Sequence, residues 1–99
     1  MDTTFAQTTD RVAENYGPEH VDVPYARMVE VFGEPNSEDD PSKTDVAWDV
    51  TSPAGAVHIY NYKNGPAYNG EGTIEEIDSF SVQGESEAAV LAAVAAAVS

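Results

Sequence analysis

Two histidines, His20 and His58, and eighteen carboxylates are the groups in this chain best suited to hold a metal ion or move a proton. A zinc site needs several ligands fixed around one point, and these histidines fall in a loop and a strand with no short paired spacing. The run NSEDDPSKTD, residues 36–45, has carboxylates that attract calcium but lacks the spacing, central glycine and closing glutamate of an EF-hand loop. General acid and base work needs two carboxylates facing one point, whereas Asp39-Asp40 and Glu75-Glu76 are neighbours that an extended chain sends to opposite faces. No serine stands in a nucleophile-elbow pattern, and the glycines of residues 65–72 follow no phosphate-loop spacing. The reading is therefore non-enzymatic, with no catalytic residue, metal or cofactor assigned. A small hydrolase or metal-dependent enzyme using His58 and nearby carboxylates stands against it.

The stretch AWDVTSPAGAVHIYNYKNG, residues 47–65, gathers Trp48, His58, Tyr60 and Tyr62. Val46, Trp48 and Val50 alternate with polar or small residues, as in a half-buried strand; Ser52-Pro53-Ala54-Gly55 is turn chemistry; GAVHIYNY forms the second strand of an antiparallel hairpin. Trp48 then belongs to the core face. Val57 and Ile59 share that face, which leaves His58, Tyr60 and Tyr62 on the other. Such a stripe is common on an outer sheet face, and tyrosine is also enriched where partners bind.

Around this hairpin, residues 3–16 place Phe5, Thr9, Val12, Ala13 and Tyr16 at helical steps before Gly17-Pro18, which predicts a first helix. In VDVPYARMVEVFGEP, Tyr25, Met28, Val29 and Phe32 predict a second, entered through Pro24 and closed by Gly33. Residues 34–44 read as an acidic loop and residues 63–73 as a flexible glycine-rich segment. A third strand lies within 76–83, with Ile77 out of phase as a bulge and Gly84 as its end. Ser86 caps a final helix carrying Val90, Leu91, Val94 and Val98 along one side. The expected fold is α+β: two N-terminal helices, a three-stranded antiparallel meander and a C-terminal helix.

At 99 residues, 1–99 form one domain with little apolar material beyond its core. There is no cysteine, which removes disulfides and thiolate chemistry. No apolar run spans a bilayer and MDTTFAQTTD lacks the regions of a signal peptide, so the chain reads as cytoplasmic.

The formal net charge is −14, from 18 Asp and Glu against 4 Lys and Arg. Nucleic-acid binding needs cations that replace phosphate counterions, so direct contact with nucleic acid is disfavoured, and anionic membranes with it. Duplex DNA carries one charge per about 1.7 Å, so this charge matches about 24 Å of duplex. The same acidity also serves plain solubility, including in a high-salt cytoplasm.

The order VFGEP, KTDVAWDV and GAVHIYNYK, over residues 21–83, resembles small uncharacterised proteins of bacteriophages and prophages. The resemblance rests on Phe32-Gly33, Pro35, Lys43, Trp48, Gly55 and Ile59-Tyr60-Asn61-Tyr62-Lys63. It carries no catalytic residues. What it implies is a setting in which short accessory genes encode inhibitors of host or defence proteins, anti-CRISPR and DNA-mimic proteins among them.

The sequence thus predicts a binding protein whose acidic face takes a basic partner, a nucleic-acid-processing enzyme or complex. Its candidate residues are Glu34, Glu38, Asp39, Asp40, Asp45 and Asp49, six acids in one segment against Lys43 alone, with Tyr60, Tyr62 and Tyr68 as aromatic anchors. The tyrosine face and the alanine-rich tail each offer a surface for pairing with a second copy. The alternative is an acidic housekeeping domain whose charge serves solubility.

Overall fold

The computed structural model describes residues 4–99. Its sheet has five antiparallel strands in the order β1-β3-β4-β5-β2, where β1 is Ala6–Gln7, β2 Tyr16–Val21, β3 Ala47–Ser52, β4 Gly55–Tyr60 and β5 Phe80–Gly84. Helices α1 (Tyr25–Phe32) and α3 (Glu87–Val98) join one face of this sheet around a single core; α2 is a short turn of helix at Pro66–Asn69. The α+β class expected from sequence is right, but the three-stranded sheet and the first helix are not.

The predicted helix over 3–16 is replaced by an extended arm; residue 3 lies outside the described residues. Of its apolar positions only Phe5 and Val12 are buried, while Ala13 and Tyr16 are exposed, so no continuous stripe exists to hold a helix on the core. Phe5 instead packs edge-on against Phe32. The arm's backbone pairs with β3, at Ala6 with Thr51 and Gln7 with Val50, and Thr8 N–H donates to the Asp49 carbonyl at 3.0 Å. Gly17-Pro18, expected as a helix stop, lies inside β2, where the register shifts between Tyr16 and Glu19.

The hairpin follows its alternation. Trp48, Val50, Val57, Ile59, Phe80, Val82 and Val21 are buried in the core with Met28, Val31 and Phe32 of α1. Trp48 is fully buried, stacks edge-on to Phe80, and its indole N–H donates to the Gly33 carbonyl at 2.8 Å. Pro24 stands at the N-cap of α1, and Gly33 closes it with φ 85°. Arg27 crosses to α3, where its guanidinium donates to the carbonyls of Ala96, Ala97 and Ser99. Those are among the last carbonyls of α3, which lack partners within the helix.

Three further corrections concern the C-terminal half. Ile77 is not a bulge: it follows a 3-10 turn over Ile74–Glu76, opened by a Thr73/Glu76 capping box, and is buried before β5 begins. On α3, Ser86 caps as expected, accepting from Ala89 N–H, but the buried face is Ala89, Val90, Ala93 and Ala97, while Leu91 and Val98 are exposed. Alanines let the helix approach the sheet closely, and a Cβ at Gly84 would stand 2.9 Å from both the Ala56 carbonyl and Val57, and 3.1 Å from Val90. The glycine-rich segment is tethered: Asp45 Oδ1 accepts from Ala67 N–H, and buried Asn61 accepts from the Asp45 and Val46 N–H groups. Among the described residues no helix is long and apolar enough to cross a membrane.

Candidate functional site

His58 and Asp49 are direct cross-strand partners on the sheet face opposite the core. That pairing follows from the two-residue turn Pro53-Ala54, which sets Ser52 opposite Gly55 and steps back to Asp49 opposite His58. Although it lies on the outer face, His58 is only 6 % exposed. The acidic loop folds back over it and brings Asp39 to its other edge, while the arm between β1 and β2 brings Glu14.

The imidazole is held at both nitrogens. Nδ1 stands 2.6 Å from Asp49 Oδ1 and Nε2 2.8 Å from Asp39 Oδ2, with Glu14 Oε1 at 4.0 Å from Nε2. An ionised carboxylate only accepts hydrogen bonds, so the protonated ring, which donates from both nitrogens, is the form this setting favours. Burial by itself pushes the His58 pKa down, but the hydrogen bonds to Asp49 and Asp39 and the charges of Asp49 and Glu14 outweigh it, leaving the pKa above the ordinary histidine value. Tyr60 stacks on the ring at 5.3 Å between centroids and donates to Gln83 Oε1 at 2.8 Å. Burial, with the charges of Asp39 and Glu14, raises the Tyr60 phenol and keeps it neutral.

Asn36 fastens the loop in place. Its side-chain carbonyl accepts from Asp49 N–H at 2.9 Å, and its amide donates to the carbonyls of Asp49 and Thr8. One side chain thereby ties arm, loop and β3 together beside His58.

Between the arm and the loop runs a cleft of about 560 Å³ with His58 and Asp49 at its wall. Among the described residues Asp10, Glu14, Glu38 and Asp39 also line it, with Arg11 as the one Lys or Arg. The other three cations are engaged elsewhere. Arg27 donates to α3 and pairs with Glu30, Lys43 pairs with Asp40 at 3.7 Å, and Lys63 lies 5.3 Å and 5.4 Å from the ring centres of Tyr62 and Tyr68.

The residues singled out from sequence divide accordingly. Glu38, Asp39 and Asp49 belong to the cleft, and Tyr60 stacks on its histidine. Asp45 is turned inward onto Asn61 and α2, and Asp40 accepts from the Ser42 N–H and hydroxyl, which lower its pKa. Glu34 is exposed, with its carbonyl accepting from Gln7. Tyr62 and Tyr68 are exposed, on either side of Lys63. The structure does not gather all nine into one face. Sequence reasoning missed Asp10, Arg11 and Glu14, because the helix expected over them hid their part in the cleft. Comparison with protein-family models, curated proteins and solved structures finds no match for the chain.

Proposed function

We propose that this is a non-enzymatic binding protein that takes a basic segment of a protein partner, a nucleic-acid-processing enzyme or complex, in the acidic cleft between arm and loop, and blocks it. The observation that carries this reading is the imbalance of the cleft: Asp10, Glu14, Glu38, Asp39 and Asp49 against Arg11, on a chain of net charge −14. His58 neutralises part of the inner wall and leaves Asp10 and Glu38 at the exposed rim. A field of this sign speeds encounter with a cationic partner and repels nucleic acid itself. The imidazole is tied to two internal carboxylates, which also favours a binding role over a free catalytic base.

The test is affinity capture from a nuclease-treated bacterial lysate at low and moderate salt, followed by competition with duplex DNA. The expected result is one basic nucleic-acid-binding protein, weakened by salt, displaced by DNA, and lost with Asp10→Lys/Glu38→Lys. Wholesale charge reversal across residues 34–49 is the wrong variant, because Asp39, Asp45 and Asp49 hold the fold. Capture of nothing specific, or capture indifferent to the double variant, would overturn the reading in favour of charge that serves solubility.

A further inference from the structure

We propose that Glu14, Asp39 and His58 form a binding site for one divalent first-row transition ion, which cross-links the arm, the acidic loop and β4. The inference goes beyond partner capture and stands without it. Three ligand atoms, one from each residue, lie within 4.8 Å of one another: Glu14 Oε1, Asp39 Oδ2 and His58 Nε2. Zinc binds imidazole nitrogen at about 2.0–2.1 Å and carboxylate oxygen at about 2.0–2.2 Å, which sets tetrahedral ligand atoms about 3.4 Å apart, so the exposed Glu14 side chain swings in from 4.0 Å and Asp39 opens from 2.8 Å to admit the ion.

Acidic side chains on a surface often lie close together without a ligand; His58 sets this cluster apart. Its ring is the buried member of the set, with a side chain 7 % exposed against 45 % for Glu14 and 36 % for Asp39, and Nε2 points out of the sheet at both carboxylates. Asp49 accepts from the opposite nitrogen, which fixes the ring and assigns Nε2 to whatever lies in front of it. A carboxylate behind a ligating histidine is the recurring support of such sites, orienting the ring and raising its basicity. Asn36 in turn holds the Asp49 backbone from both its N–H and its carbonyl, so the support is itself braced.

Two carboxylates facing His58 Nε2 favour a positive charge at that point. In the ion-free protein the Nε2 proton fills that role toward Asp39. On binding, that proton leaves to solvent, the Nε2 lone pair goes to the ion, and Nδ1–H keeps its bond to Asp49. One imidazole with two carboxylates suits zinc or its neighbours rather than magnesium or calcium, which favour oxygen alone. The ligands come from an irregular arm, a loop and a strand, so the ion closes the cleft's inner end as a cross-link between segments far apart in sequence.

The test is calorimetric titration of zinc chloride into chelator-treated protein, with long-range nitrogen–proton NMR of the histidine rings. We expect one equivalent bound, a shift at His58 Nε2 with His20 unmoved, and no saturable heat from magnesium at the same concentration. Glu14→Gln, on an exposed side chain of the arm, weakens binding at least tenfold with an unchanged circular dichroism spectrum. Asp49→Asn, which leaves all three ligands in place, weakens it tenfold to a hundredfold. His20→Gln leaves it unchanged. Absence of saturable zinc uptake would overturn the proposal, and so would uptake that survives Glu14→Gln or disappears with His20→Gln. Should Asp49→Asn fail to fold, Glu14→Gln and the His58 shift still decide.

Discussion

Asp49 Oδ1 lies 2.6 Å from His58 Nδ1, and the two residues face each other directly across the β3-β4 ladder. The hydrogen bond therefore binds the hairpin that carries the core on its other face. Because the folded protein holds the imidazolium more tightly than the unfolded chain does, its contribution is complete below the ordinary histidine pKa and is lost as pH rises through the raised one. In ion-free protein we expect the urea midpoint, followed by Trp48 fluorescence, to hold below the ordinary histidine pKa and to fall as pH rises through the raised one. Asp49→Asn and Asp39→Asn should each flatten that dependence, and histidine NMR should show His58 titrating above the ordinary histidine value.

Arg27 joins α1 to the last turn of α3 through three carbonyls. Arg27→Ala removes them, together with a cation at the negative end of the α3 dipole, and we expect a loss of about 1–2 kcal/mol. For a domain of this size each kcal/mol is about 4–8 °C in melting temperature, so thermal denaturation resolves the effect. Arg27→Lys should recover only part of it, since one ammonium cannot reproduce the fork.

Asn61 is fully buried and makes four side-chain hydrogen bonds, accepting from Asp45 N–H and Val46 N–H and donating to Asp45 Oδ2 and Asn64 Oδ1. Asn61→Leu leaves two backbone donors and a carboxylate without their partner, a cost of about 3 kcal/mol or more. Hydrogen exchange should show α2 opening first, because its Ala67 N–H depends on the same Asp45.

Gly84→Ala tests the close seating of α3. The new methyl group meets the Ala56 carbonyl and Val57 at 2.9 Å, and backbone cannot yield as a flexible side chain can. We expect a loss of about 1–3 kcal/mol in chemical denaturation.

Much of this architecture was legible in the chain. Alternation over residues 46–60 places Trp48 inward and His58 and Tyr60 outward, and the structure agrees. The turn at Ser52-Pro53-Ala54-Gly55 also implies the Asp49–His58 pairing, but the sequence reading set the two residues apart, one in an acidic face and one in a tyrosine stripe. The arm was not legible. Its apolar spacing over 3–16 imitates a helix, and what decides against one is the edge of β3, which lies more than forty residues away and takes up Gln7 and Thr8. The site inherits that blindness: Glu14 and Asp39 reach His58 only because arm and loop both fold over the outer face, a tertiary event with no local signature. The alanine face of α3 was hidden for a related reason. Hydrophobicity favours Leu91 and Val98 as the buried set, but close approach to the sheet selects the smallest side chains instead.

The two margins of the sheet carry one further meaning. On one side, β3 is never left as a bare strand: Ala6 and Gln7 cover Thr51 and Val50, Thr8 and Asn36 satisfy Asp49, and Asn36 and Ser37 donate to the Ala47 carbonyl. On the other, β2 is interrupted by Pro18, which has no N–H to offer, and by the register shift before Glu19. A foreign strand arriving at either margin finds no straight row of free donors and acceptors to extend. Neither margin of the sheet is thus a ready template for strand addition, whether by another protein or by a second copy of this chain.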